Sequence, residues 1–165
     1  ILYGISAFGL ASRLSIPRGE AQELIDRYFE RFPAIDRYMK ESVEKARATG
    51  YTTTITGRRR QIPDINSRNQ VVRGYAERNA INAPVQGTAA DVIKKAMVSI
   101  DRRIREEHLH SSMIMQIHDE LNFDVVPGEL PRLQAIVEEE MEGAYNGRVK
   151  LTASSGVATN WLDAH

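Results

Sequence analysis

Gln116-Ile117-His118-Asp119-Glu120-Leu121-Asn122-Phe123-Asp124 sets a charged triplet between two runs that read as strands. Met113, Met115 and Ile117 alternate with other residues before it, and Leu121, Phe123 and Val125 alternate after it, the period-two pattern of half-buried strands. The spacing predicts a tight hairpin with His118, Asp119 and Glu120 at or beside its turn. Two carboxylates and an imidazole there can hold a hard divalent cation, because Mg²⁺ takes one or two carboxylates together with phosphate oxygens and water. A solvated polar turn is the other reading, since short motifs often match by chance. The neighbouring segments bear on the choice.

A chain of 165 residues is long enough to bury a core, and a 42% hydrophobic, 27% charged composition excludes a disordered or membrane-spanning class. Twenty-two basic residues balance twenty-two acidic ones, so nucleic-acid binding would have to rest on local patches. One such patch holds Arg58, Arg59, Arg60, Arg68, Arg73 and Arg78 against only Asp64 and Glu77. The absence of cysteine excludes disulfides and thiolate metal sites and is compatible with a reducing cytoplasm, the expected location. No apolar run approaches the roughly 20 residues of a membrane span. The opening Ile1-Leu2-Tyr3-Gly4-Ile5 has no initiator Met, as though cut from something longer.

Ile1 to Leu14 reads as a helix end passing into a short helix. Ser15 and Pro17 signal a helix carrying Leu24, Ile25, Tyr28, Phe29 and Phe32 at helical spacing; Pro33 opens another, which Gly50 ends. Tyr51 to Ile55 and Arg60 to Ile62 are expected to pair as a hairpin tipped by Arg58, Arg59 and Arg60. That tip is either a wet loop or a phosphate contact, for which Arg has bidentate geometry. Asn66 or Ser67 can cap a helix reaching a break near Pro84. Arg78, Asn82 and Gln86 lie four apart and form one polar ridge if the helical turn persists to Gln86. Such a ridge is a solvent stripe or a set of donors lying along a nucleic-acid groove. A long helix then carries Val92, Ile93, Ala96, Met97, Ile100 and Ile104 on one face, expected to cover the hairpin sheet. His108 and His110 read as exposed helix-end residues. Leu130 to Tyr145 reads as an amphipathic helix with Glu138, Glu139, Glu140 and Glu142 on a solvated face, followed by a last strand from Val149 to Val157.

Four stretches together resemble the C-terminal part of the family A DNA-directed DNA polymerases, the bacterial DNA polymerase I type. They are Tyr3-Gly4-Ile5-Ser6-Ala7-Phe8-Gly9-Leu10, Thr56-Gly57-Arg58-Arg59-Arg60, the run from Ala76 to Asp91, and Gln116-Ile117-His118-Asp119-Glu120. They occur in the family's order, and the likeness continues to Asn160-Trp161. The resemblance implies a template-directed DNA polymerase of replication and repair, with primer-template DNA and deoxynucleoside triphosphates as partners. It implies Mg²⁺ as cofactor, two ions in the complete enzyme, held in part by Asp119, with Glu120 as the acid beside it. His118 matches a residue near the primer terminus and incoming nucleotide. Arg78, Asn82 and Gln86 match a helix tracking the minor groove, and Tyr3 and Gly4 match the end of the mobile fingers helix. The implied fold is α+β: residues 1–66 as the C-terminal part of the fingers, and residues 67–165 as a partial palm with a small antiparallel sheet covered by helices.

Two departures set further expectations. The fingers residues that grip the triphosphate and the family's first motif, with the aspartate that partners Asp119, have no match in this chain. The 165-residue chain is therefore expected not to polymerise alone. Surfaces normally covered by the missing strand are expected to favour self-association. Two rivals stay open: a non-catalytic, sequence-indifferent duplex-DNA binder or degenerate homologue, and a metal phosphohydrolase built on His118-Asp119. The second is short of ligands, because His108, His110 and His165 fall in turn or terminal positions.

Overall fold

Pro17, Pro33 and Gly50 divide the first third of the chain into helices, as their backbone chemistry requires. The computed structural model describes residue 1 and residues 3–164; Leu2 and the terminal His165 lie outside the described residues. Helix α1 (Ala7–Leu14) is capped by Ser6, whose Oγ accepts the Gly9 N–H at 3.2 Å. The helix end expected ahead of it is not formed. Residues 3 and 4 make a turn instead, with Gly4 at φ +74° and its N–H on the Ile1 carbonyl at 2.8 Å. Helix α2 (Arg18–Arg31) starts behind Pro17. Helix α3 (Pro33–Thr49) starts on Pro33, whose missing N–H is one that a helix start leaves unbonded anyway, and ends at Gly50 with φ 78°.

Strands β1 (Tyr51–Thr53) and β2 (Arg59–Gln61) pair antiparallel, with Thr52 opposite Arg60. The first strand is shorter than expected and the second begins one residue earlier, because Thr54 and Arg58 already close the loop, Thr54 N–H to the Arg58 carbonyl at 2.9 Å. Ile55 to Gly57 therefore forms the tip, and Arg59 and Arg60 lie along β2 rather than on it.

Helix α4 (Gln70–Glu106) overturns two expectations. Its cap is Asn69, whose Oδ1 accepts the N–H groups of Val71 at 2.9 Å and Val72 at 3.3 Å. Asn66 instead donates to the Arg47 carbonyl, and Ser67 accepts from the Asn69 N–H. Pro84 does not break the helix. Proline inside a helix removes one hydrogen bond and crowds the preceding turn at a cost of about 3 kcal/mol. Here the flanking turns bury Ala76, Ala80, Ile81 and Ala83, and Tyr38 Oη donates to the Ile81 carbonyl at 2.9 Å. Packing outweighs the local penalty, and two expected helices become one.

The chain forms two compact units, Ile1–Thr88 and Ala89–His165. In the first, Ala46 of α3 meets Ala76 and Ala80 of α4, with Ile62 and Ile65 completing the core. The small side chains let the helices approach closely, and each buried isoleucine contributes about 1.5–3 kcal/mol.

In the second unit, strands β3 (Ser112–Ile117) and β4 (Glu120–Asp124) form the expected hairpin. Met113, Leu121, Phe123 and Val125 pack on a core of Ala96, Ile100 and Ile104 from α4 and Leu133 and Ile136 from helix α5 (Leu130–Gly143). The β3 alternation is corrected by a bulge: Met113 pairs with Phe123 but Met115 with Asn122, leaving Ile114 as the extra residue. Met115 and Ile117 therefore share the face of Asn122 and Glu120, opposite the core. The expected last strand does not form. Residues 149–157 have no ladder, and side-chain bonds hold them to α5: the Ala153 N–H to Glu142 at 3.1 Å and Gln134 to Ser155 at 2.8 Å. The acidic stripe of α5 is correspondingly not a bland solvated face. Arg103 bridges Glu139 at 2.6 Å and Glu140 at 3.1 Å, and Glu138 bonds Ser155. His108 and His110 are exposed just past the end of α4, as expected.

Candidate functional site

The functional candidates fall into both compact units, and each group is described within its own. In the first unit, the continuity of α4 puts Arg78, Asn82 and Gln86 on one helical face spanning about 12 Å at 1.5 Å per residue. Arg78 and Gln86 are exposed and Asn82 is half-buried. The Arg78 guanidinium lies 6.0 Å from the exposed ring of Tyr75. The Tyr3-Gly4 turn is set against the same stretch, because a Cβ on Gly4 would come within 3.3 Å of Arg78 Cγ and 3.8 Å of Ile81 Cδ1. Tyr3 is exposed beside it. A pocket of about 300 Å³ opens here, lined by Gly4, Ile5, Met39, Val43, Arg78 and Ile81 among others.

The arginine hairpin is also anchored on α4. Arg58 donates to the Gly87 carbonyl at 3.2 Å, and the Ile55 N–H donates to Thr88 Oγ1 at 3.2 Å. A side chain on Gly87 would meet Thr54 Cγ2 at 2.6 Å, so glycine is what allows the loop to sit this close. The Arg59 guanidinium lies 4.9 Å over the Tyr51 ring, and Arg60 is exposed on β2. Arg73 is occupied structurally, donating to the Ser67 carbonyl at 3.0 Å and approaching Glu77 at 3.7 Å. Of the sequence candidates, Tyr3, Gly4, Arg58, Arg59, Arg60, Arg78, Asn82 and Gln86 thus share one compact unit.

In the second unit, His118 and Asp119 are the two turn residues of the β3–β4 hairpin, both exposed. His118 takes φ 53°, which a two-residue hairpin turn needs at its first position and which glycine or asparagine would adopt more readily. The Gln116 side chain donates to its carbonyl and steadies the turn. Glu120 pairs opposite Ile117 and is half-buried; its Oε1 accepts the Trp161 indole N–H at 2.8 Å.

Asp119 suits one ligand position of a hard cation, being an exposed carboxylate on a short turn with water access. Glu120 adds charge beside it. Among the described residues no three His, Cys, Asp or Glu side chains gather as a metal site. Sequence reasoning missed Gly87, Thr88 and Trp161. Gly87 and Thr88 signal a close approach only in hindsight, whereas Trp161 was visible as the chain's single tryptophan.

Comparison with known proteins gives a consistent result. The family model described as DNA polymerase family A matches residues 1–163. DNA polymerase I of Bacillus caldotenax is 49% identical over 164 residues, 99% of this chain and 19% of that protein. DNA polymerase I of Mycobacterium tuberculosis (strain ATCC 25618 / H37Rv) is 47% identical over 161 residues, 98% of this chain and 18% of that protein. A solved structure described as the POL domain of Pol1 from M. smegmatis in complex with DNA primer-template and dNTP aligns with a TM-score of 0.95 at 45% identity, covering 99% of this chain and 29% of that one. This chain spans about a fifth of the length of the curated relatives it matches.

Proposed function

The chain belongs to DNA polymerase family A, and on that premise we propose that it is the part of a template-directed DNA polymerase that engages primer-template and contributes a carboxylate turn to nucleotidyl transfer. Residues 1–66 are then the C-terminal part of the fingers and residues 67–165 most of the palm. The observation that carries the reading is the unbroken run of α4 through Pro84, which keeps Arg78, Asn82 and Gln86 in register on one face beside the Tyr3-Gly4 turn. The relative solved with primer-template and dNTP supplies the partners proposed here.

Each residue then has a role. Donors on the α4 ridge meet minor-groove acceptors, which every base pair presents, so pair shape is sensed without sequence being read. Arg58, Arg59 and Arg60 contact phosphates. Tyr3 and Gly4 sit at the moving end of the fingers, and His118 lies near the primer terminus and incoming nucleotide. The primer 3′ hydroxyl loses its proton to solvent as its oxygen attacks the α-phosphorus of the nucleoside triphosphate, a phosphodiester bond forms, and the bond to the pyrophosphate leaving group breaks. Two Mg²⁺ ions, when bound, supply the charge that favours the attacking alkoxide and the leaving pyrophosphate. Asp119 is this chain's ligand for them, with Glu120 beside it. The 165-residue chain alone binds duplex without extending it, because the Asp119-Glu120 pair is short of the charge a two-cation clamp requires.

This second, binding-only behaviour is directly testable. Fluorescence anisotropy of a labelled primer-template is expected to show affinity falling steeply with salt. Arg60→Ala should lower the log–log salt slope by about 1, whereas Arg78→Ala should weaken binding evenly across sequences. No salt-sensitive association even at low ionic strength would refute the DNA-engaging reading.

A further inference from the structure

Trp161 is the only tryptophan in the chain, and burial does not explain its position, since the residue is 49% exposed. Its indole N–H instead reaches across 41 residues of sequence to Glu120 Oε1 at 2.8 Å. The sense of this bond is unambiguous, because an indole N–H can only donate. The turn carrying Trp161 is itself built in place. Asn160 Nδ2 donates to Asp163 Oδ2 at 2.6 Å, and the Asp163 N–H returns to Asn160 Oδ1 at 3.1 Å. Gly156 lies under this turn so closely that a Cβ there would come within 2.2 Å of the Ala164 carbonyl oxygen. Upstream, Ser155 and Ala153 are tied to Glu138 and Glu142 of α5. The C-terminal segment is thereby led from α5 back to the β3–β4 turn.

We propose that Trp161 is a positioning residue for the carboxylate turn, its indole N–H holding one oxygen of Glu120 so that the Asp119-Glu120 pair is presented to a divalent cation in a fixed arrangement. The inference rests on the reading of Asp119 as a cation ligand. A glutamate beside a second carboxylate has flexible torsions and a like-charge neighbour that both favour scatter. A neutral donor fixed from a separate segment limits that scatter without adding charge that would compete with the cation. Outer partners of this kind typically change metal affinity 10- to 100-fold when removed.

The test uses the 165-residue chain with Mn²⁺ as probe, free Mn²⁺ being followed by electron paramagnetic resonance. Trp161→Phe, which keeps a ring and removes the donor, is expected to weaken Mn²⁺ binding about 10-fold. Trp161→His, which restores a ring N–H, should recover part of the loss, and Asp119→Ala should abolish binding. A variant-free readout stands beside these: the chain gives a single indole N–H resonance in a ¹⁵N spectrum, expected to exchange slowly with solvent and to broaden at substoichiometric Mn²⁺. Parental affinity in Trp161→Phe with binding lost in Asp119→Ala would overturn the positioning role and leave the functional reading standing. So would an indole N–H exchanging as fast as in free tryptophan. Mn²⁺ binding indifferent to Asp119→Ala, or absent from the parent chain, would overturn the cation site itself and the proposal with it.

Discussion

At the scale of single residues, a carboxylate fastens the hairpin at the end opposite its turn. Glu129 accepts the backbone N–H of His110 at 2.9 Å, the backbone N–H of Ser111 at 2.9 Å and the Ser111 hydroxyl at 2.7 Å. The Ser111 hydroxyl oxygen in turn accepts the Val126 N–H at 3.0 Å, so the residues flanking β3 and β4 are stitched through one side chain. The His110 backbone bond first, and then the Ser111 hydroxyl, pull the Glu129 carboxyl down from 4.5 to about 2. A depressed folded-state pKa favours the charged form in the fold. Its stabilisation is therefore complete above the ordinary carboxylate range and is lost as pH falls from about 4.5 toward 2. Thermal melts over that window should show Tm falling with acid, and Glu129→Gln should melt lower at pH 7 with a shallower acid slope. An unchanged slope in the variant would dismiss the clamp. Nothing in the sequence marks Glu129 for this work, because its donors, two backbone N–H groups and the Ser111 hydroxyl, lie eighteen and nineteen positions away. Asp119 and His118, by contrast, were legible as turn residues because alternating apolar side chains bracket them on both sides.

At the scale of elements, α4 owes its continuity to contacts made by other segments. Tyr38 Oη supplies the Ile81 carbonyl with a donor in the turn before Pro84. Tyr38→Phe leaves that part-buried carbonyl without the bond and should cost about 1 kcal/mol. Urea unfolding checks this: a lower midpoint at unchanged slope is expected. An identical midpoint would mean that the helix crosses Pro84 unaided. Local pattern could not reveal such support, so proline read as a break. The same limit explains the other misplaced elements. The β3 bulge at Ile114 is a property of the pair, fixed by register with β4, and alternation in one strand cannot show it. Residues 149–157 have a strand-like composition but bond to α5 side chains instead of a neighbouring strand. The helices bounded by Pro17, Pro33 and Gly50 were readable because their stop and start signals are backbone properties carried by the residue itself.

At the scale of the whole molecule, net charge is zero, and any affinity for a polyanion must come from local clusters. Arg58, Arg59, Arg60 and Arg78 all lie within the first compact unit, and Asp119 and Glu120 lie in the second. No helix among the described residues is long and apolar enough to cross a membrane. The family was legible from four ordered motifs, and the family model and relatives agree with it along almost the whole chain. Primer extension with Mg²⁺ on a defined template tests the central claim most directly. It compares the 165-residue chain, the same chain joined to its own upstream genomic sequence, and the Asp119→Ala form of the longer protein. Extension by the longer protein alone, falling to background in Asp119→Ala, is the expected result. Undiminished extension by the Asp119→Ala form would contradict the assignment of nucleotidyl transfer to this turn.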